Sequence, residues 1–167
     1  MGLFAKSKPP KIVATLLRPG ERVMGWGLGP EQLDGQPTVV VCSNVAFHAP
    51  GYTEAILWED IARANWDDPI LEIAAIVEGK PRFTRVNLDQ PGAVPDVVYE
   101  RVTATIVTQQ HVMLDGDKGA RLVARRPVGS DQIRWNVIFD SGVNAADPKL
   151  RAIADDKLRQ FRESAGV

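Results

Sequence analysis

Leu57-Trp58-Glu59-Asp60-Ile61 is the stretch whose reading decides the fold. Two acidic residues stand between two short apolar runs, too tight for one continuous strand and too short for a helix of useful length. It reads as a corner, with a strand on either side. Working outward, residues 20 to 107 resolve into about seven strand-like runs closely punctuated by turns, followed by one helix-like segment.

Upstream, Ile12 to Leu17 is a short apolar segment of undecided type, ended by Pro19-Gly20. Glu21 to Leu28 reads as a strand, with Val23 on one face and Met24, Trp26 and Leu28 on the other. Gly29 to Gln36 is a loop. Thr38 to Cys42 and Val45 to Ala49 form a hairpin through Ser43-Asn44, and Pro50-Gly51 closes it. Thr53 to Trp58 leads into the acidic corner. Downstream come Ile61 to Trp66, an Asp67-Asp68-Pro69 turn, and Ile70 to Val77, apolar at nearly every position and read as a central strand buried on both faces. Glu78-Gly79-Lys80-Pro81 turns the chain into Arg82 to Leu88, where Phe83, Val86 and Leu88 share no clean face, so a bulge or twist is expected. From Pro95 to Val107 the spacing of Val94, Val98, Val102 and Ile106 predicts a helix, although the β-branched content favours a strand.

Thr108 to Leu114, Ala120 to Val128 and Ile133 to Asp140 predict a three-stranded meander. Asp147 as cap, Pro148 in the first turn, an apolar stripe of Leu150, Ile153, Ala154, Leu158 and Phe161, and Gly166 as stop predict a C-terminal amphipathic helix. The expected organisation is a basic arm over 1–11 and one domain over 12–167. Within that domain, 20–107 is the core and 108–167 the meander with its helix.

Composition sets bounds on function. A chain of 167 residues with 44% hydrophobic and 25% charged content can bury a sizeable core. A net charge of -1 offers no general attraction for nucleic acid. A lone cysteine, Cys42, gives neither an internal disulfide nor a multi-thiolate metal site. No stretch is apolar for long enough to span a bilayer and no secretion signal opens the chain, so a cytoplasmic protein is expected. Arginine over lysine, with abundant alanine and valine, fits a GC-rich bacterial genome. Leu3, Phe4, Lys6, Lys8 and Lys11 would give the arm only weak contact with a membrane surface.

Pro19-Gly20-Glu21-Arg22-Val23, the hairpin from Val39 to Phe47 and Leu57-Trp58-Glu59-Asp60-Ile61 together resemble bacterial PH-like domains. Trp58-Glu59-Asp60-Ile61 followed by Ala64-Asn65-Trp66-Asp67 also resembles a set of uncharacterised actinobacterial proteins, the similarity continuing through Arg125-Arg126 to Trp135. The resemblance implies an α+β fold: a PH-like antiparallel barrel or sandwich of about seven strands plus a helix, extended by the meander and the C-terminal helix. Lipid-binding PH domains hold phosphoinositides with bases around the first inter-strand loop. Here that loop, Gly29 to Gln36, carries Glu31 and Asp34 and no base, which argues against phosphoinositide binding.

Candidate chemistry is sparse. Cys42 and His48 fall on opposite sheet faces if Ser43-Asn44 is the hairpin turn, which sets Val39 opposite His48 and Cys42 opposite Val45, so the two cannot exchange a proton. His111 has no acidic or thiol neighbour in sequence. Glu59-Asp60 and Asp67-Asp68 are adjacent residues that point apart and read as a corner and a turn. Gly25-Trp26-Gly27-Leu28-Gly29 lacks the helix that a phosphate loop needs and reads as a strand allowing close approach. Trp58, Trp66 and Trp135 read as core, an exposed one being a binding mark. The least ordinary feature is Lys118, Arg121, Arg125, Arg126 and Arg134 in the meander, where Arg121, Arg125 and Arg126 are candidate partner-binding residues. No catalytic residue, metal or cofactor is assigned. The expectation is a non-catalytic interaction module whose partner is another protein or a second copy. The alternative is a small-molecule-binding protein or enzyme whose site, using Asp60, Asp67 or His111, assembles only in three dimensions.

Overall fold

The structure is a computed structural model that describes residues 8–50 and 54–166. Of the basic arm, residues 1–7 lie outside that range, as does Gly51-Tyr52-Thr53. The chain is α+β. Among the described residues, ten strands form three antiparallel sheets, accompanied by three α-helices. It divides into two compact units, Met1–Arg101 and Val102–Val167.

The first unit opens with α1 (Lys11–Leu16), which settles the undecided apolar segment as a helix starting at the last residue of the arm. Pro19-Gly20 then makes the expected turn, the Glu21 N–H donating to Arg18 O at 3.1 Å with Gly20 at φ 87°. Strands β1 (Val23–Glu31), β2 (Pro37–Ser43), β3 (Ala46–His48) and β4 (Ile56–Leu57) follow in spatial order β1-β2-β3-β4. A bulge at Met24 alters the expected face pattern. With Met24 as the extra residue, Val23 joins Trp26 and Leu28 in packing on Val13, Val39 and Val41.

Trp58–Asp60 is a single 3-10 turn, the corner expected between the two apolar runs. Its indole is fully buried, meets Phe47 edge-on at 6.4 Å, and donates Nε1–H to Ser43 O at 3.0 Å. The turn carries the chain into a second sheet, β5 (Ile61–Asp67), β6 (Ile70–Val77) and β7 (Lys80–Asn87), ordered β5-β6-β7. Among the described residues no sheet closes into a barrel. The ladder stops at the Trp58–Asp60 turn, and beyond the end of β7 Gln90 pairs with Leu28 of β1 in an isolated bridge of 2.8 and 2.9 Å.

Strand β6 is central, as expected, but buried on one face only. Leu71, Ile73 and Ala75 point inward while Glu72 is exposed and Ile76 is 38% exposed. β7 pairs with β6 in unbroken register, so the expected irregularity is absent. Thr84 and Val86 face inward, and Phe83 is the odd residue because it faces solvent. Glu78 and Gly79, at φ 51° and 77°, form the two-residue turn that joins the pair.

Helix α2 (Val94–Ala104) confirms the helical spacing, ending two residues before Ile106, which begins a strand. Val94, Val97 and Val98 are its buried side. The glycines of β1 explain how it docks: a Cβ on Gly25 would stand 3.2 Å from Val97, and one on Gly27 2.9 Å from Pro91 O and 3.2 Å from Val94. Gly-Trp-Gly-Leu-Gly is thus a strand made thin enough for a helix to lie on it.

The second unit contains the expected meander, β8 (Ile106–Asp115), β9 (Lys118–Arg125) and β10 (Arg134–Phe139), in spatial order β10-β9-β8. Helix α3 (Pro148–Ala165) is capped by Asp147, whose Oδ1 accepts from the N–H groups of Lys149 and Leu150 at 2.9 and 3.4 Å. Gly166 ends it in the left-handed conformation. Its apolar stripe packs on the meander, with Leu150 and Ala154 buried and Phe161 edge-on to Trp135 at 5.6 Å.

Candidate functional site

The three candidate arginines separate in space. Arg125 ends β9 and is only 2% exposed. Its Nη1 donates to Thr105 Oγ1 at 2.6 Å and to Val102 O at 3.2 Å, tying the end of α2 to the middle strand of the meander. This guanidinium belongs to the interior, and the reading of it as a partner-facing cation is corrected by its burial. Arg126 is exposed, and its backbone N–H bonds Thr105 O at 2.8 Å. Arg121 is half-buried, in register between His111 and Ile138. Lys118 and Arg134 are exposed at the ends of their strands.

Cys42 and His48 are kept apart as expected, though by a different register. Ser43 Oγ accepts from Val45 N–H and Ala46 N–H at 3.2 and 3.0 Å, which moves the two-residue turn to Asn44-Val45. Cys42 then faces Phe47 and Val41 faces His48. Neighbouring residues alternate faces, so the thiol and the imidazole still point to opposite sides. Burial pushes the Cys42 thiol up from its ordinary value, which holds it protonated and unreactive.

Both histidines find carboxylates that no sequence spacing announced. His48 Nε2 lies 2.7 Å from Glu21 Oε2, with side chains 9% and 6% exposed. The same oxygen also accepts the Arg18 N–H at 3.2 Å. In the second unit, His111 Nε2 lies 2.8 Å from Asp140 Oδ2, with side chains 53% and 35% exposed. Gly119 makes this reach possible. A Cβ there would stand 2.5 Å from Asp140 Oδ2 and 2.8 Å from the His111 ring, so the middle strand must be bare for the outer two to touch across it. This pair orients an accessible imidazole, the arrangement that proton transfer or anion binding requires.

The acidic doublets stay apart. Asp67 and Asp68 are exposed around their turn, whereas Glu59 is 8% exposed with Oε2 unpartnered. Among the described residues no three His, Cys, Asp or Glu side chains gather into a metal-binding group. None of the four tryptophans is exposed. Glu31, Gln32, Leu33 and Asp34 line an open recess at the β1–β2 loop. No helix among the described residues is long and apolar enough to cross a membrane.

What the sequence reading missed is a surface. Phe83, 74% exposed, stands on β7 opposite Ala74, with Ile76 opposite Pro81 beside it. Arg63 lies across from Ala74, and Arg85 pairs with Glu72 at 2.9 Å. The available signal was the failure of Phe83 to share a face with Val86 and Leu88. Comparison with family models, with curated proteins and with solved structures gave no match.

Proposed function

We propose that this chain is a non-catalytic, PH-like protein–protein interaction module. The PH-like part of the reading is supported by a four-stranded and a three-stranded antiparallel sheet in chain order, followed by a helix seated on the glycine-lined first strand. The observation that carries the function is Phe83. An aromatic ring on a strand of unbroken register, three-quarters open to solvent, has apolar neighbours and a rim of charged side chains. That composition is what a protein-binding hot spot needs: an apolar anchor to desolvate and polar groups to exclude water around it.

A photo-crosslinking residue at position 83, with position 99 on α2 as an equally exposed control, tests this in extract. A defined protein captured at 83 alone, and bound at least about tenfold more weakly by Phe83→Ser, is the expected result. Equal binding by the variant, or capture at neither position, would overturn it.

The His111–Asp140 pair favours a second reading, a ligand-binding protein or enzyme with a site assembled from distant residues. A small molecule that raises the Tm of the native protein but not of His111→Ala would establish it.

A further inference from the structure

We propose that β8 is a dimerisation edge, pairing antiparallel with β8 of a second copy to make one continuous six-stranded sheet. This rests on the interaction-module reading and names one partner for it. The outer edges of sheets expose unpaired N–H and C=O groups, and proteins blunt them with charge, proline or brevity. Among the described residues, the other edges do so. β5 carries Arg63 and Asp67, β7 carries Lys80, Pro81, Arg82 and Arg85, β10 begins with Arg134, and β4 has two residues. β1 ends in Pro30-Glu31 and gives Leu28 to Gln90. β8 does so least. It is terminal in its sheet, and although it ends at Asp115, its nine residues from Ile106 to Leu114 contain no Lys, Arg, Asp, Glu or Pro. Gln109, Gln110 and His111 are exposed, and so are Val107 and Met113 at 37% and 49%.

Symmetry selects a second copy as the occupant. A two-fold axis normal to a sheet brings a strand antiparallel to itself and sets one residue opposite its own copy. Centred on Gln110, it opposes Gln109 to His111 and Thr108 to Val112, with Ile106, Val107, Met113 and Leu114 flanking the paired run. Gln and His meet at the centre, the Thr108 methyl meets Val112 beside them, apolar residues flank the run, and no like charges face each other. Register shifts at Val107 and Leu114 bound the regular run, so the ladder is confined to the middle of the strand. A partner strand bearing charge would lose this match.

Sedimentation of the full chain from about 5 to about 500 µM spans the range where so small an interface dissociates. The expected result is a reversible monomer–dimer equilibrium. Gln110→Lys, which sets two ammonium groups across the axis, leaves a monomer with unchanged circular dichroism and Tm. Gln110→Cys forms a disulfide-linked dimer under mild oxidation at least about tenfold faster than Gln160→Cys on the exposed side of α3, native Cys42 being buried. Wild-type monomer at the highest concentration, a dimer that survives Gln110→Lys, or equal cross-linking at 110 and 160 would each overturn the proposal. Self-pairing fails alone if the chain is monomeric while Phe83 still captures a foreign protein. The interaction-module reading fails with it if neither is seen.

Discussion

His48 and His111 each hold a carboxylate at almost the same distance, 2.7 and 2.8 Å, in different units of the chain. The first pair is buried where β3 meets the Pro19-Gly20 turn. The second lies across an open sheet, with half of the imidazole in water. Equal geometry therefore conceals unequal consequences. Removing one partner of the buried pair strands a desolvated group, whereas water replaces either partner of the open one. The buried pair fixes the entry to a fold, and the open pair remains available for chemistry or contact.

That contrast can be broken most directly at His48. Replacing it by Ala leaves the Glu21 carboxylate with only the Arg18 N–H, and chemical denaturation should show a loss of about 3–5 kcal/mol. A loss below about 1 kcal/mol would mean that the two pairs are equivalent. Next in size is Arg125→Ala, which asks whether the second unit also depends on a buried polar tie. Thr105 Oγ1 and Val102 O lose their donor, for an expected cost of about 2–3 kcal/mol.

Cys42 gives a third test, through pH. Its folded-state pKa is raised by burial, so the unfolded chain releases the thiol proton first, from near the ordinary thiol value of 9.0. Above that pH the unfolded state binds fewer protons than the folded one. The full contribution is thus present below about pH 9 and declines as pH rises, by at most about 1.4 kcal/mol per pH unit. Denaturation of Cys42→Ala across pH 8 to 10.5 should lack that component. The smallest effect is expected at the open pair: a double-mutant cycle on His111 and Asp140 should give a coupling below about 1 kcal/mol that fades with salt.

Much of the fold was legible because its breaks are chemical. Pro19-Gly20, Glu78-Gly79 and Asp115-Gly116 supply turn geometries that few other residues allow, and Asp147, Pro148 and Gly166 mark both ends of α3. The helical spacing of Val94 and Val98 outweighed β-branched propensity, because that side of the helix, at Val94 and Val97, had a glycine-lined strand to pack against. The hairpin register was misread by one position, since the Ser43 hydroxyl caps two N–H groups and pulls the turn forward. Strand β6 was read as buried twice because apolar content does not say whether a second layer covers it.

The site was legible only in outline. That Arg121, Arg125 and Arg126 are basic could be read directly, but not that Arg125 would be enclosed by the end of α2 and the middle of the meander. His111 and Asp140 are 29 residues apart, and their meeting depends on Gly119 being bare on the strand between them. By itself the sequence determined the α+β class, the corner at Trp58, helices α2 and α3 and the capping of α3, because periodicity and turn chemistry are local. Which strand ends a sheet, which face stays uncovered, and which carboxylate finds each histidine were decided by tertiary structure, because these depend on contacts between residues that local propensity never compares.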